Sequence, residues 1–414
     1  MLRHQDPIQV FEHDYLKLGE CGFTQDHFDA LVKLNEQYGS QYFSVGYRKL
    51  KFNSFVGVIQ VKGLTIEVLP KADRHEDKNK WRLALLTMLR ACHDLDIHSV
   101  SEAALSLRKA SLLDLYINTF LKETEKLVHA GLTKKYRKQQ ENIKTLKGKI
   151  LFTENIRRNY VHQEMVFTEH QVYDEDTLIN QILKRALLIL KDLHSNYTFS
   201  SRINNLLINF EGVSGVQIHE KYFNQLQNLN RKTIQYQTAL QFAKLIILYF
   251  SPDMGAGREK TFALLFDMNV LFEKYIYLLL KRKIAEGNYL GLTIQGQSSR
   301  LFWGNQRIRP DIVLSRPNGD KVVVDTKWKI IYDYRPSDAD LKQMYAYNVH
   351  FGANKSILLY PKAVADSPIL ANYHHSELLS GQHSCGLYFA SLFNDEGKPR
   401  VEAGAEILDF ISNQ

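Results

Sequence analysis

The sequence predicts an α+β chain of several domains: a small β-rich module over residues 1–75, a helical region over 76–250, and an α/β/α core with a mixed sheet over 251–414. Three observations carry this reading. Short apolar runs separated by turn residues fill the end of the first segment, and apolar stripes at helical spacing dominate the middle. Near the C-terminal side the order is helix, hairpin, helix, strand, which describes helices on both faces of a sheet.

In the first segment a helix is expected around Gln25–Tyr38. The stretch YFSVGYRKLKFNSFVGVIQVKGLTIEVLPKAD then carries three or four short strands. Lys62-Gly63 is the expected turn between Val56–Val61 and Leu64–Leu69, and Pro70 stops the last strand. This segment holds no catalytic constellation and reads as an accessory or protein-docking module.

From Lys78 to about Phe250 the pattern is helical. Trp81, Leu83, Leu85, Leu86, Met88 and Leu89 form one stripe, and Leu112–Leu127 and Leu178–Leu193 repeat it. Between the last two lies a basic stretch, Lys134, Lys135, Arg137, Lys138, Lys144, Lys147 and Lys149, with Tyr136 inside it. It could track phosphates or form a solvated helical face. GAGREKT at 255–261 has the glycines, lysine and threonine of a phosphate-binding loop without the GxxxxGK[ST] spacing, and is rejected as one.

In the third segment, residues 262–283 read as a long helix apolar nearly all round. Glu273 is its one acid beyond the first turns, either a third acid of a site or an exposed residue on the thin polar side. Residues 308–315 and 321–328 form a hairpin across Arg316-Pro317-Asn318-Gly319-Asp320. Ser337 and Asp340 open a further helix, on which Gln343 and Tyr347 lie four residues apart and share a face. Ser356–Tyr360 is a short buried strand closed by Pro361. Strands are also expected at Gly386–Leu392 and Ala405–Ile411.

The hairpin carries the chemistry. Strand alternation puts Asp325 and Lys327 on one face. Whether Asp311 joins them depends on the turn. A two-residue Asn318-Gly319 turn sets it opposite Thr326, on the wrong face, whereas a three-residue loop over 318–320 sets it opposite Lys327. An odd-length loop, or a bulge beside Pro310, is therefore expected. Two converging carboxylates suit a hard divalent cation with several waters, and the adjacent lysine could orient or help deprotonate an attacking water. A bare D…DxK spacing also arises on ordinary exposed hairpins. Val322, Val323 and Val324 argue otherwise, because charges that end a buried strand need partners or a ligand.

Composition sets limits on these readings. The 414 residues are 44% apolar and 24% charged, ordinary for a globular protein, and 53 Lys and Arg against 45 Asp and Glu give a net charge of +8. That balance is compatible with a nucleic-acid partner. Cys21, Cys92 and Cys385 form no CxxC pair, which argues against a zinc site or disulfide framework and for a reducing, cytoplasmic setting. FAKLIILYF at 242–250 and YIYLLL at 275–280 are too short to span a bilayer and read as buried helix. No signal-peptide pattern opens the chain.

Asp311, Asp325-Thr326-Lys327 and Glu273 resemble the PD-(D/E)xK nuclease signature, and Gln343 with Tyr347 resembles the QxxxY helix of its RecB-like branch. FDMNVLFEKYI, RPDIVL and VVVDTKWK are similar to McrC, the nuclease subunit of McrBC-type modification-dependent restriction systems. LKGKI at 146–150, YDEDTLINQILKRAL at 173–187 and FVGVIQVKGLTIEVLPK at 55–71 extend the similarity. The resemblance implies an endonuclease subunit that uses Mg²⁺, with Mn²⁺ as the alternative, and cleaves DNA that is methylated or otherwise modified. It implies a McrB-like AAA+ GTPase hexamer as partner, stimulated by the N-terminal part of the chain, and a contact between two McrC subunits in the active complex. Under it Asp311 and Asp325 bind the metal, Glu273 assists, Lys327 acts on the attacking water, and Gln343 and Tyr347 brace the site or touch substrate. A self-sufficient nuclease and a non-catalytic DNA-binding adaptor on a nuclease fold are the rival expectations.

Overall fold

The structure, a computed structural model, describes residues 7–71, 77–92, 112–193, 197–226, 229–248, 250–252, 260–331, 335–362, 368–374 and 383–412. The chain divides into two compact units, Met1–Leu112 with Leu265–Gln414, and Leu113–Leu264. This division differs from the three-part reading of the sequence, because the N-terminal module and the C-terminal core belong to one unit.

The join within that unit is buried and specific. Trp328 follows Lys327 directly and packs edge-on against Trp81 of the Lys78–Cys92 helix at 6.1 Å, and against Phe272 at 5.0 Å. Its indole N–H donates to Glu12 Oε1 at 2.7 Å, and the Lys71 amide donates to the same oxygen at 2.8 Å. Burial pushes the fully enclosed Glu12 carboxyl up to about 7. Local sequence cannot announce a contact between positions this far apart.

The N-terminal module forms as its alternation predicts. Phe55–Val61 and Leu64–Leu69 pair antiparallel, and Lys62 (φ 46°) and Gly63 (φ 82°) take the two left-handed positions of a tight hairpin turn. Ile8–Phe11 adds a parallel strand to Leu64–Leu69, while Tyr15–Lys17, Lys49–Phe52 and Phe43–Gly46 make a second small sheet. The expected first helix is Gln25–Gln37. Glu67 is fully buried on its strand and accepts from Arg82 Nε at 3.0 Å, Gln9 Nε2 at 2.9 Å and the Leu112 amide at 2.6 Å.

In the Leu113–Leu264 unit the expected apolar stripes form helices, among them Leu178–Leu193 and Gln237–Leu248. The basic stretch is not helical. Lys135–Ile143 is a strand paired antiparallel with Val166–Asp174, and Lys149–Ile150 joins the other edge of Val166–Asp174. Arg137 meets Asp174 at 2.8 Å, Lys138 meets Glu169 at 3.4 Å and Lys134 meets Glu175 at 3.5 Å, so acids answer part of its charge. A strand of alternating polar and charged residues gives no apolar period to read. Residues 255–259 of GAGREKT lie outside the described residues.

The C-terminal core is a six-stranded mixed sheet in the order Thr293–Gly296, Ile312–Ser315, Lys321–Thr326, Lys355–Pro361, Ser384–Ala390, Ile369–Asn372. The three central strands run parallel to one another and the outer pairings are antiparallel. The Asp338–Phe351 helix covers one face, where Met344, Tyr347 and Phe351 meet Val313, Val323, Leu358 and Leu387. The opposite helical layer includes Met268–Ala285 and Ala403–Ser412.

Three sequence expectations are corrected. Residues 262–267 belong to a strand, Lys260–Asp267, and the helix starts only at Met268, because the Asp267 carboxylate caps it by accepting from the Asn269 amide. Ala405–Ile411 is helical, not a strand, with Ala403, Ile407 and Ile411 buried one turn apart. The strand expected over 308–315 is broken at Arg309-Pro310-Asp311, so that Gln306–Ile308 ends one ladder and Ile312–Ser315 starts another.

Removing Arg82 would strand the Glu67 charge in the core. Arg82→Ala is expected to lower the unfolding free energy by about 3–5 kcal/mol, measured by denaturant titration. A loss below about 1 kcal/mol would show that the pair is not a structural requirement.

Candidate active site

Val322, Val323 and Val324 are buried, and the strand they belong to carries Asp325 inward, where it is 2% exposed. The Lys327 amide donates to the Leu359 carbonyl at 2.9 Å, which extends the parallel ladder past the strand end and fixes the lysine backbone. Asp325 and Lys327 share a face, and Lys327 Nζ lies 2.7 Å from Asp325 Oδ2. Lys327 is the one side chain that partners this buried carboxylate among the described residues, so a carboxylate with several acceptor sites is met by a single cation.

Lys327 also donates to Gln343 Oε1 at 3.1 Å, Gln343 Nε2 donates to Tyr347 Oη at 2.8 Å, and the Tyr347 hydroxyl donates to the Arg309 carbonyl at 2.9 Å. Chemistry forces the direction of this chain. An ammonium only donates and a carbonyl only accepts, so the Gln343 amide has one orientation and the tyrosine proton one destination. The four residues from lysine to Arg309 thereby tie the covering helix to the segment that leads into Asp311.

Asp311 reaches the site through an odd turn. Pro317–Gly319 close it, with the Arg316 amide on the Asp320 carbonyl at 2.8 Å, and the strands register Ile312 with Val324 and Val313 with Val323. The parity is the one the chemistry requires. The register is two residues away from the loop over 318–320, however, and continuing it brings Asp311 across from Asp325 rather than Lys327. Asp311 Oδ2 accepts from both the amide and the hydroxyl of Thr326, each at 2.7 Å.

Glu273 stands on the Met268–Ala285 helix, half-buried, with Oε1 accepting from Gln297 Nε2 at 2.9 Å. The Gln297 amide donates to the Asp311 carbonyl at 2.8 Å. Burial first, and then the Asp311 charge, raise the Glu273 carboxyl above its ordinary range. Among the described residues no three His, Cys, Asp or Glu side chains form a preassembled ligand cluster. The structure therefore links Asp325, Lys327, Gln343 and Tyr347 in one run of contacts, sets Asp311 immediately before the adjacent strand, and keeps Glu273 in electrostatic reach of Asp311.

Residues 50–361 match the family model described as the McrBC 5-methylcytosine restriction system component. The chain belongs to this family. It is 27% identical over 237 residues to the type IV methyl-directed restriction enzyme EcoKMcrBC of Escherichia coli (strain K12), covering 54% of this chain and 67% of that protein. Its fold is similar to that of a chain in the refined half-complex from a tetradecameric assembly of Thermococcus gammatolerans McrB AAA+ hexamers with bound McrC. There the TM-score is 0.72 at 21% identity, over 98% of this chain and 99% of that one. A chain of the T. gammatolerans McrBC complex matches at TM-score 0.52 and 22% identity, over 69% of this chain and 90% of that one.

Electrostatics at the site of this McrBC-family chain are unequal across the acids. Burial, then the Asp311 charge, push Asp325 up to about 6 against the opposing pull of Lys327. Burial works against the Lys327 charge, but Asp325, Asp340 and Asp311 outweigh it and hold the ammonium protonated above its usual range. Asp340 is one residue that spacing assigned only to helix opening. Its amide does donate to Ser337 Oγ, while its carboxylate lies 2.5 Å from Lys329 Nζ and 3.6 Å from Lys327 Nζ. Burial opposes its charge, yet the two lysines and Ser337 hold its carboxyl below the usual range. Thr326 and Gln297 were also missed. Thr326 stands inside the motif without chemistry of its own, and Gln297 is marked only by its left-handed backbone (φ 50°).

Because its folded pKa lies above the unfolded value, ionised Asp325 costs stability as pH rises from about 4 to about 6. Asp325→Asn is accordingly expected to raise the melting temperature at neutral pH in chelator, and to flatten stability across that acid window. A lower melting temperature at neutral pH would contradict the assignment of the strain to this carboxylate.

Proposed function

We propose that the chain is the nuclease subunit of a McrBC-type restriction complex, hydrolysing DNA phosphodiesters with Mg²⁺ while assembled with an AAA+ GTPase ring. The observation that carries the reading is the buried Asp325–Lys327 pair with the Asp311 charge acting on it from the residue before the neighbouring strand. A buried carboxylate partnered only by Lys327 among the described residues, within electrostatic reach of a second carboxylate, fits a hard cation that takes one or two protein oxygens and completes its shell with water. Asp325 and Asp311 would hold the ion, with Glu273 acting at longer range. Bound there, it supplies charge to a phosphoryl oxygen and lowers the pKa of water.

The chain's own residues do the rest. Lys327 is an ammonium, so it serves by orienting the attacking water and offsetting charge that builds on the phosphoryl group, rather than as a free base. Gln343 and Tyr347 position it, and burial keeps the Tyr347 hydroxyl protonated as a donor. Thr326 holds one Asp311 oxygen and leaves the other for a ligand.

The ring partner follows from the T. gammatolerans assembly, whose McrB hexamers carry bound McrC. This sequence has no GxxxxGK[ST] loop, so it corresponds to the McrC side of such a complex. The family description points to 5-methylcytosine in the DNA.

Cleavage of a methylated duplex by the chain with its AAA+ partner and GTP tests the reading. Asp325→Ala and Lys327→Ala are expected to lower the rate at least about 1000-fold while leaving assembly and GTP hydrolysis intact. Wild-type cleavage by either variant would refute the assignment. Tyr347→Phe is expected to slow cleavage about 10- to 100-fold with little change in substrate affinity, since it removes only the brace on Lys327 and Arg309.

A further inference from the structure

Arg300–Trp303 and Gln306–Ile308 form a two-stranded ribbon separate from the six-stranded sheet. Every residue from Arg300 to Arg307 is exposed, including Leu301 at 62%, Phe302 at 51% and Trp303 at 73%. Such a ribbon is marginal alone, and three consecutive large apolar side chains in water are retained on a surface only where something covers them.

Charge and chemistry indicate what does. From Gly287 to Pro310 the chain has three arginines, Arg300, Arg307 and Arg309, five side-chain amides, Asn288, Gln295, Gln297, Asn305 and Gln306, and no acid. The ribbon's base is fixed: Arg300 stacks over Phe351 at 4.8 Å and donates to the His350 carbonyl at 2.6 Å, and Phe302 meets the His350 ring edge at 5.0 Å. Arg307 Nε donates to Ser299 Oγ at 2.8 Å, and among the described residues nothing else partners its guanidinium, whose terminal nitrogens can serve a ligand.

Both ends of the ribbon are anchored at the acids of the site. Gln297, ahead of it, holds Glu273 with its side chain and Asp311 with its amide; Arg309-Pro310-Asp311 follows it directly. A two-stranded ribbon of this kind fits the major groove of B-form DNA, with arginines on phosphates and apolar side chains against thymine methyls and sugars.

We propose that the Arg300–Ile308 ribbon is a duplex-DNA-binding element that lies in a groove beside the phosphodiester presented to Asp311 and Asp325. It rests on the nuclease reading for where the cut falls, and not for the binding itself. An acidic protein surface is the alternative occupant. The amides, the absence of acids and the shared anchor with the site favour DNA.

Fluorescence anisotropy of a labelled duplex with the full chain, in metal-free buffer across a salt series, tests this. Trp303→Ala and Arg307→Ala are each expected to weaken binding about tenfold, and Arg307→Ala to lower the slope of log affinity against log salt by about 1. Trp303→Phe is expected to bind like the wild type, and unchanged melting temperatures would show that the fold is intact. Wild-type affinity in both alanine variants, absence of duplex binding by the wild type, or loss of assembly with the AAA+ ring at unchanged DNA affinity would each overturn the proposal. Asp325→Asn separates the two readings: it is expected to bind DNA without cutting, and if it cuts, the nuclease assignment fails while the ribbon's binding is still measured.

Discussion

A carboxylate buried at the end of an apolar strand is the constraint around which the C-terminal core is built. Val322–Val324 commit the strand to the interior, and Asp325 is carried in with them. Burying an ionised group without full hydrogen bonding is unfavourable, and Lys327 at 2.7 Å offsets only part of the cost, as the raised Asp325 pKa shows. Under the proposed nuclease function a bound cation would offset the rest of that cost.

The remaining polar contacts of the site follow from the need to hold two charged groups still. The run from Lys327 through Gln343 and Tyr347 to the Arg309 carbonyl has a single allowed sense of donation, so moving any member breaks a part-buried hydrogen bond that no reversal of direction can replace. Thr326, the last residue of its strand, donates to Asp311 Oδ2 with both its amide and its hydroxyl and so holds that carboxylate at the strand end. Adjacent residues of one tripeptide thus fix both acids: Thr326 holds Asp311, and Lys327 meets Asp325.

Much of this was legible in the sequence because the signals are local. Strand alternation placed Asp325 with Lys327, the four-residue spacing placed Gln343 with Tyr347, and the parity argument required an odd turn before Asp311 could serve. What was not legible depended on contacts distant in the chain or on patterns without apolar period. The Lys135–Ile143 strand alternates between polar and charged residues and looks like a solvated surface. Ala403, Ile407 and Ile411 lie in a run too uniformly apolar to separate helix from strand. Asp340 has a complete local explanation as a helix-opening residue, which hides its second role beside Lys327 and Lys329. The union of the N-terminal module with the core rests on Glu12 and Trp328, and nothing near either residue in sequence points to the other.

Trp328 also connects the two parts of that unit physically, since it is the residue after Lys327 and its indole is held by a carboxylate of the N-terminal module. The central claim is nevertheless about the acids themselves: that Asp311 and Asp325 form a divalent-cation site. Anomalous diffraction from crystals of the chain grown with Mn²⁺ tests it most directly. The account predicts a peak bounded by the Asp311 and Asp325 carboxylates that is lost in Asp325→Asn. Manganese bound elsewhere in the protein, with no density between these two residues, would contradict it.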